Sequence, residues 1–218
     1  QTMLEMFRGC SGLTTLDVSG WNLPQLTTIN SMFRECTNLQ EIIGLETVSA
    51  PKMESINFMF FNCKSLTRID LSGICPEDYV LVSDYNASDY HYNCHFLNCS
   101  SVEYLDLSNF KIKGCIGNVF TVLGNLKTAK FNNVTLGEIT DNSIHKFVPQ
   151  SIETIELNNF NIGDHITKAS DMFRLCSKLK TIDVSSFDFK NVTTMGSMFD
   201  GCTSLQQIIG LENLHAPK

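Results

Sequence analysis

The sequence predicts an α/β repeat solenoid, a coil in which every repeat adds one short strand to a parallel sheet. A block of the form Met-Phe-x-x-Cys-x-x-Leu recurs along the chain, for example at residues 32–39 and 59–66. Each block is followed by an apolar-polar-apolar triplet, and this alternation is typical of a half-buried strand. A repeat with one short strand cannot bury its own apolar face, so the copies must stack on each other.

The phenylalanine three residues before the cysteine position serves as the anchor of each copy. The anchors of copies 1 to 8 are Phe7, Phe33, Phe60, Phe96, Phe120, Phe147, Phe173 and Phe199. Their spacings are 26, 27, 36, 24, 27, 26 and 26 residues. This regularity predicts one solenoid domain over residues 1–218, with eight repeats and an insertion at about residues 74–94.

Apolar positions within each copy predict its local structure. Residues six, nine and eleven places after the anchor are apolar, as in Leu13, Leu16 and Val18 of copy 1, and they predict the buried side of the strand. The block around the anchor has apolar residues at helical spacing, which predicts a short helix or 3-10 turn on the opposite wall. A second aromatic position is expected in the core because stacking aligns its members, which are Trp21, Phe110, Phe160 and Phe187.

Nine cysteines would suggest disulfide bonds in a small secreted protein. Six of them share one place in the repeat: Cys10, Cys36, Cys63, Cys99, Cys176 and Cys202. Free cysteine behaves as a small buried hydrophobic residue, so these six are expected to be reduced thiols stacked in the core. Copies 5 and 6 lack the cysteine, and copy 6 is one residue short.

Composition and charge exclude several function classes. The net charge of −7 argues against a non-specific surface for nucleic acid or anionic membranes. No run of eighteen apolar residues is present, so no membrane insertion by this segment is expected. No signal peptide begins at Gln1, and the chain opens in mid-repeat. It is therefore expected to be a fragment whose signal and anchor lie outside it.

One row of strand residues is expected to face solvent, ten places after each anchor and nine places after it in the shortened copy 6. It contains Asp17, Ile43, Asp70, Asp106, Lys130, Glu156, Asp183 and Ile209. Arg68 and Tyr104 lie two residues before Asp70 and Asp106, in a second exposed row. Parallel strands lie about 4.8 Å apart, so Asp70 and Asp106 should repel each other. The row is either a solvated acidic face with local hydrogen bonds or a groove for a basic partner.

The insertion concentrates tyrosines. Tyr79, Tyr85, Tyr90 and Tyr92 lie in it, mixed with Asp, Ser and Asn, and Tyr104 lies on the adjacent exposed strand. Tyrosines among small polar residues are typical of adaptable binding surfaces, and long loops on rigid scaffolds often carry function. The alternative is a surface bulge whose tyrosines pack on the edge of the solenoid.

Other chemistry has weaker signals in the sequence. Cys75 and Cys94 flank the insertion and could form a disulfide across its base. His91, His95 and these two cysteines are zinc-competent, but their spacing matches no standard site. The stretch at residues 84–88 opens like a calcium loop but lacks the required glycine and glutamate. No catalytic motif is present, so neither an enzyme nor a cofactor is predicted.

The repeat resembles a known family. Residues 198–205, Met-Phe-Asp-Gly-Cys-Thr-Ser-Leu, and 105–110, Leu-Asp-Leu-Ser-Asn-Phe, are similar to the BspA-like leucine-rich repeats of bacterial surface proteins. They look most like the variant of about 25 residues found in mycoplasmal lipoproteins and in surface proteins of Gram-positive bacteria. The resemblance implies a right-handed leucine-rich-repeat coil that is exposed at the cell surface or secreted and used in adhesion or host contact.

These observations lead to one prediction and two alternatives. The prediction is a cell-surface or secreted module that binds a protein or glycan on another cell or matrix. The binding residues would be the insertion tyrosines, Tyr104, Arg68, Asp70 and Asp106. The first alternative is a structural stalk that holds another domain away from the cell and binds nothing. The second, less favoured, is a metal-binding or enzymatic insertion.

Overall fold

The computed structural model describes residues 1–74, 80–83, 95–114, 120–137 and 142–213. One wall of the coil contains a short parallel strand from each copy. In chain order these are β1 (Thr15–Asp17), β2 (Glu41–Ile43), β3 (Arg68–Asp70), β5 (Tyr104–Asp106), β7 (Thr128–Lys130), β9 (Thr154–Glu156), β10 (Thr181–Asp183) and β11 (Gln207–Ile209). This strand wall confirms one part of the predicted α/β solenoid, the parallel sheet with one short strand from each copy.

The strand wall has a continuous centre. Strands β3, β5, β7 and β9 form one parallel sheet, and β1–β2 and β10–β11 form separate pairs near the two ends. The middle residue of each strand points into the coil: Ile69 and Leu105 are fully buried. The residues on either side of it lie on the outer surface, because successive side chains of a strand alternate between faces.

Two further ladders close the coil. Strand β4 (Val80–Ser83) pairs with β6 (Lys111–Gly114), which pairs with β8 (Thr135–Leu136), all in parallel. The second of these ladders consists of single bridges, such as those that join Thr2 to Thr28 and Thr28 to Ser55. Strand β4 lies inside the predicted insertion, so at least four of its residues belong to a regular wall of the solenoid.

The predicted helices on the opposite wall are wrong. In the described part of the chain, helix is limited to the two 3-10 segments Leu45–Thr47 and Leu211–Asn213 and to a 3-10 position at Asn142, and the Met-Phe-x-x-Cys blocks form successive turns instead. Outside copies 5 and 6, the described residues two places before and two places after the anchor have positive φ, which interrupts any helix. They include Glu5, Gly9, Ser31, Glu35, Phe58, Asn62, Asn98, Asp171, Leu175, Ser197 and Gly201.

This turn wall is joined by one-way hydrogen bonds. The amides of Glu5, Phe7 and Gly9 donate to carbonyls of copy 2, at distances of 2.8–3.0 Å. Copies 2 and 7 repeat the arrangement toward copies 3 and 8. On the strand wall, by contrast, Val18 donates to copy 2 and Gln40 donates back to copy 1. Residues in left-handed and right-handed backbone conformations alternate along this wall, so every second amide lies on the same side of the chain. These amides therefore all donate in the same direction.

The anchor phenylalanines form the expected core stack. Phe33 lies 5.7 Å from Phe7 and 5.9 Å from Phe60, with nearly parallel rings. The stack changes in copies 5 and 6, where Phe120 and Phe147 meet edge to face at an interplanar angle of 80°. The second aromatic position is also core, as predicted: Phe110, Phe160 and Phe187 are buried, and Trp21 packs against the core from a partly exposed position.

The cysteine ladder is confirmed. Cys36, Cys63, Cys99 and Cys176 are buried free thiols, whereas Cys10 is exposed and Cys202 is half-buried near the ends of the stack. The thiols of Cys36, Cys63 and Cys99 donate to the carbonyl of the anchor in the preceding copy, at 2.9–3.0 Å. Burial raises the pKa of Cys99 to about 12, so this thiol stays protonated near neutral pH.

The phrase Ile-Ile-Gly-Leu-Glu, which occurs in copies 2 and 8, produces a different turn after the strand. Gly44 and Gly210 have φ of 77° and 91°, and each precedes one of the two 3-10 segments. A Cβ on Gly44 would lie 2.7 Å from the Cα of Ser19 in the preceding copy. These two copies are therefore a second type of repeat with a tighter exit from the strand.

Candidate functional site

The candidate site lies at the centre of the strand wall, on copies 3 and 4. The parallel register of β3 and β5 places Arg68 beside Tyr104 and Asp70 beside Asp106. All four residues were predicted to contribute to binding, and the structure brings them together. The inward residues between them, Ile69 and Leu105, fix both strands in the core.

Arg68 and Tyr104 form a stacked pair, called here the Arg–Tyr shelf. The guanidinium carbon of Arg68 lies 3.7 Å from the centre of the Tyr104 ring, which is a cation–π contact. The same guanidinium forms an ion pair with Asp70 at 2.6 Å, and 47% of the Arg68 side chain remains exposed. The hydroxyl of Tyr104 donates to Asp106 at 3.2 Å. The shelf therefore has a fixed geometry and an accessible outer surface.

The two carboxylates behind the shelf are buried, with Asp70 6% and Asp106 7% exposed. The amide and hydroxyl of Ser72 donate to Asp70, at 3.1 and 2.7 Å, and the amide of Ser108 donates to Asp106 at 2.9 Å. These hydrogen bonds, together with Arg68, offset the repulsion expected between neighbouring acids. Burial and the Asp106 charge raise the pKa of the Tyr104 phenol, which keeps it a hydrogen-bond donor.

The polar row continues along β7 and β9 with alternating charge. Lys130 forms an ion pair with Glu156 at 2.9 Å, and the side-chain amide of Asn132 donates to the same carboxylate at 2.9 Å. Both contacts lower the pKa of Glu156, the Lys130 hydrogen bond having the larger effect.

The hydrogen bond between an aspartate and the serine two residues later recurs at the ends of the strand wall. There Asp17 accepts from Ser19, and Asp183 accepts from Ser185. Local hydrogen bonds therefore satisfy the carboxylates of this row, but Asp70 and Asp106 are buried and do not face solvent as predicted. The groove for a basic partner stays a prediction.

With the repeat geometry established, the chain can be compared with known proteins. The sequence profile of a family described as "Mycoplasma protein of unknown function, DUF285" matches residues 1–74 and 118–216. The chain belongs to this family. The predicted relationship to the mycoplasmal type of repeat is thereby confirmed. The search of curated proteins gave no match.

Seven solved chains match the fold of this DUF285 member. One is a leucine-rich cell surface protein from Faecalibacterium prausnitzii, which is 15% identical in sequence. The match covers 93% of the present chain and 74% of the other, with a TM-score of 0.32. At this level the likeness is distant.

Several predicted site residues of this DUF285 member lie outside the described residues. They are Tyr79, Tyr85, Tyr90, Tyr92, Cys75 and Cys94, together with His91. His95, one of the zinc-competent residues, is described: it is buried, and its Nδ1 lies 3.2 Å from the carbonyl oxygen of Ile56. Over the ranges that the structure describes, no three His, Cys, Asp or Glu side chains converge as metal ligands. Within the same ranges no helix is both long and apolar enough to cross a membrane.

The structure also shows surface groups that the sequence reasoning missed. Phe58 and Phe61 of copy 3 are half-buried on the turn wall, and the guanidinium of Arg34 lies 4.9 Å from the Phe61 ring. Phe58 has a φ of 56°, which is unusual for a bulky side chain. The sequence signal was a difference between copies: copy 2 carries Ser31 and Arg34 at the two positions where copy 3 has phenylalanine. On the strand wall, by contrast, Ile43 and Ile209 were expected to face solvent, and each is 41% exposed.

Proposed function

We propose that this chain is a binding module of a cell-surface or secreted protein, and that it contacts a protein or glycan through the Arg–Tyr shelf. Tyrosine and arginine are the residue types most enriched among binding hot spots. Here they stack on adjacent strands of a rigid sheet, at 3.7 Å. This contact is the observation that supports the proposal.

The environment of the shelf favours binding because it removes an ordering cost. A side chain that must be immobilised on binding loses about 0.5–1.5 kcal/mol of affinity. Asp70 holds the guanidinium of Arg68, and Asp106 accepts from the hydroxyl of Tyr104. Both side chains are therefore ordered before any partner arrives. The exposed part of Arg68 keeps donors available for a carbonyl, carboxylate or sugar hydroxyl.

The test is the binding of labelled protein to an array of glycans and extracellular matrix proteins. Wild-type protein should bind a subset of the array, and Tyr104→Ala and Arg68→Ala should each weaken that binding at least tenfold. Thr128→Ala is the matched control, because Thr128 pairs with Tyr104 at the same place in the next copy. Equal binding by wild type, the shelf variants and the control would contradict the role of the shelf.

The insertion tyrosines are proposed as additional contacts beside the shelf. Tyr85→Ala and Tyr90→Ala, tested on the same array, should reduce binding further in combination with Tyr104→Ala. If Tyr104→Ala reduces binding and the two insertion variants do not, the site is limited to the strand wall.

A structural stalk is the second candidate, and one observation favours it. The charged groups of the central row already pair with each other: Arg68 with Asp70 and Lys130 with Glu156. A face whose charges are internally compensated needs no partner. A stalk would leave the entire array unbound by the wild-type protein.

A further inference from the structure

A groove of about 550 Å³ lies on the turn wall, away from the Arg–Tyr shelf. Its lining comes from copies 5, 6 and 7 and includes Gly124, Lys146, Val148, Gln150 and Arg174. It coincides with the place where the repeat is irregular: copy 5 has Leu123 and copy 6 has a shortened block in place of the cysteine segment.

The one-way ladder of amide hydrogen bonds is interrupted in this groove. In copies 1, 2, 3 and 7, the amide two places after the anchor donates to the next copy, as Leu175 does to Asp200 at 2.7 Å. In copy 5, the corresponding amide of Val122 makes no such bond to copy 6, and in copy 6 Pro149 has no amide hydrogen to give. The ladder bond two places after the anchor is therefore missing in copies 5 and 6, whereas the amides of Lys146 and Phe147 still donate to copy 7, at 3.2 and 2.9 Å.

The interruption leaves main-chain donors along the groove. Within the described ranges, the amides of Gly124, Val148 and Gln150 have no protein acceptor. Gly124 and Gln150 are exposed, so water reaches these two residues, whereas the Val148 residue is only 3% exposed. A buried amide without a partner loses about 1–3 kcal/mol of solvation. Such a group is normally satisfied by water or by a ligand.

Two cationic side chains flank these donors. Lys146 is exposed, and the described residues include no ion-pair partner for it. The Nε atom of Arg174 contacts Asp171 and Asp200, at 3.6 and 3.1 Å, so its two terminal nitrogens can still donate to a ligand. No carboxylate side chain lines the groove. Main-chain amides beside Lys and Arg form a site for a small oxyanion.

We propose that this amide groove binds a carboxylate, carried by an acidic sugar or an acidic amino acid. The net charge of −7 opposes the approach of a long polyanion but has little effect on a single carboxylate. The volume lies within the range of ordinary small-ligand sites, and Gln150 and Ser151 provide polar groups for the hydroxyls or amides around the acid. This site is independent of the function proposed for the strand wall.

The experiment is a titration followed by amide NMR spectra of the ¹⁵N-labelled protein. The probes are sialyllactose against neutral lactose, and the α-amide of N-acetyl-aspartate against the α-amide of N-acetyl-asparagine, which is neutral. At least one acid should shift the amide signals of Gly124, Val148 and Gln150, and its neutral counterpart should not. Shifts with only one of the two acids identify the source of the carboxylate. An absence of shifts with both acids would overturn the proposal.

Variants separate the groove from general charge effects. Lys146→Glu should weaken the affinity for the acid at least tenfold. Arg8→Ala is the control, because Arg8 occupies in copy 1 the place that Arg174 occupies in copy 7, with a similar ion pair to Glu5. Unchanged affinity in Lys146→Glu would contradict the site. Tyr104→Ala should leave these shifts intact, which distinguishes the groove from the shelf.

A repair variant tests the main-chain donors themselves. Replacing residues 148–151 with the five residues 174–178 of copy 7 restores the length of the block and its cysteine. The repaired turn should refill the groove and abolish binding, although the graft adds positive charge. Binding retained by a folded repair variant would show that the interrupted ladder is not the recognition element.

Discussion

The thiol of Cys63 donates a hydrogen bond to the main-chain carbonyl of Phe33 in the preceding copy, at 3.0 Å. The same carbonyl accepts the amide of Cys36, also at 3.0 Å. One oxygen therefore joins the turn of its own copy to the core of the next. The ladder of cysteines links neighbouring repeats through hydrogen bonds as well as through packing.

Removing this link should destabilise the interior of the stack. Cys63→Ala is expected to lower the free energy of unfolding by about 1–2 kcal/mol, because it deletes a buried atom and a hydrogen bond. Cys10→Ala changes the same repeat position in copy 1, where the side chain is exposed, and should change stability by less than about 0.5 kcal/mol. Urea denaturation measures both, and equal effects would contradict a structural role for the ladder.

The thiols should also make stability fall in alkaline solution. Burial raises the pKa of Cys99 and Cys176 to about 12, whereas an unfolded cysteine has a pKa of about 8.5. This stabilising contribution is complete below the unfolded pKa and is lost as pH rises toward the folded pKa, because only the unfolded chain releases these protons. Unfolding midpoints measured from pH 7 to 10 should decline, and Cys99→Ala should decline less steeply.

Accessibility to alkylation provides a second measurement of the same thiols. At pH 8, iodoacetamide should label Cys10 rapidly and should label Cys99 and Cys176 only after denaturation. Peptide mass spectrometry resolves the individual sites. Rapid labelling of Cys99 in the folded protein would contradict its assignment to the core.

The close approach at Gly44 gives a prediction with an internal control. Gly44 has a left-handed backbone conformation, and Gly44→Ala places a Cβ 2.7 Å from the Cα of Ser19. The substitution should lower the free energy of unfolding by about 2–3 kcal/mol. Gly12→Ala meets no atom within 4 Å and should be neutral or slightly stabilising. Thermal unfolding of the two variants measures the difference. Similar melting temperatures would show that the turn in copy 2 can relax.

The Lys130–Glu156 pair predicts an acid dependence of stability. Because its hydrogen bonds lower the pKa of Glu156, this stabilising contribution is present above the unfolded pKa and is lost as pH falls through the folded pKa. Both side chains are partly exposed, so the effect should stay below about 1 kcal/mol. Glu156→Gln should be less stable than wild type at pH 7 and equal to it near pH 3, as measured by urea titration at each pH.

The sequence was sufficient to predict the strands and the core, because both follow from a period that repeats eight times. It failed on the turn wall, where Met195, Met198 and Phe199 have helical spacing. Positive φ at Ser197 and Gly201 breaks that helix, and a serine gives little warning of such a conformation. Gly9, Gly201, Asn62 and Asn98, all two places after an anchor, were the available signal.

The candidate site was predictable in part. Equal distance from the anchor was enough to place Arg68 beside Tyr104 and Asp70 beside Asp106. The stacking of the guanidinium on the ring and the burial of both carboxylates depend on side-chain conformations that a repeat alignment does not determine. The amide groove was harder to predict, since its donors are main-chain groups. Its traces in the sequence are the shortened block of copy 6, Pro149 within that block, and Leu123 at the cysteine position of copy 5.

The one-way hydrogen bonds of the turn wall give the array a polarity that the strand wall lacks. All peptide dipoles in those bonds add along the axis, so each new repeat fits onto the last in one orientation only. A duplicated segment of one period continues the ladder without adjustment, whereas a segment of any other length displaces donors from acceptors. Such a protein can lengthen or shorten by whole repeats, and a partial deletion, like that in copy 6, opens a gap in the wall while the core remains closed.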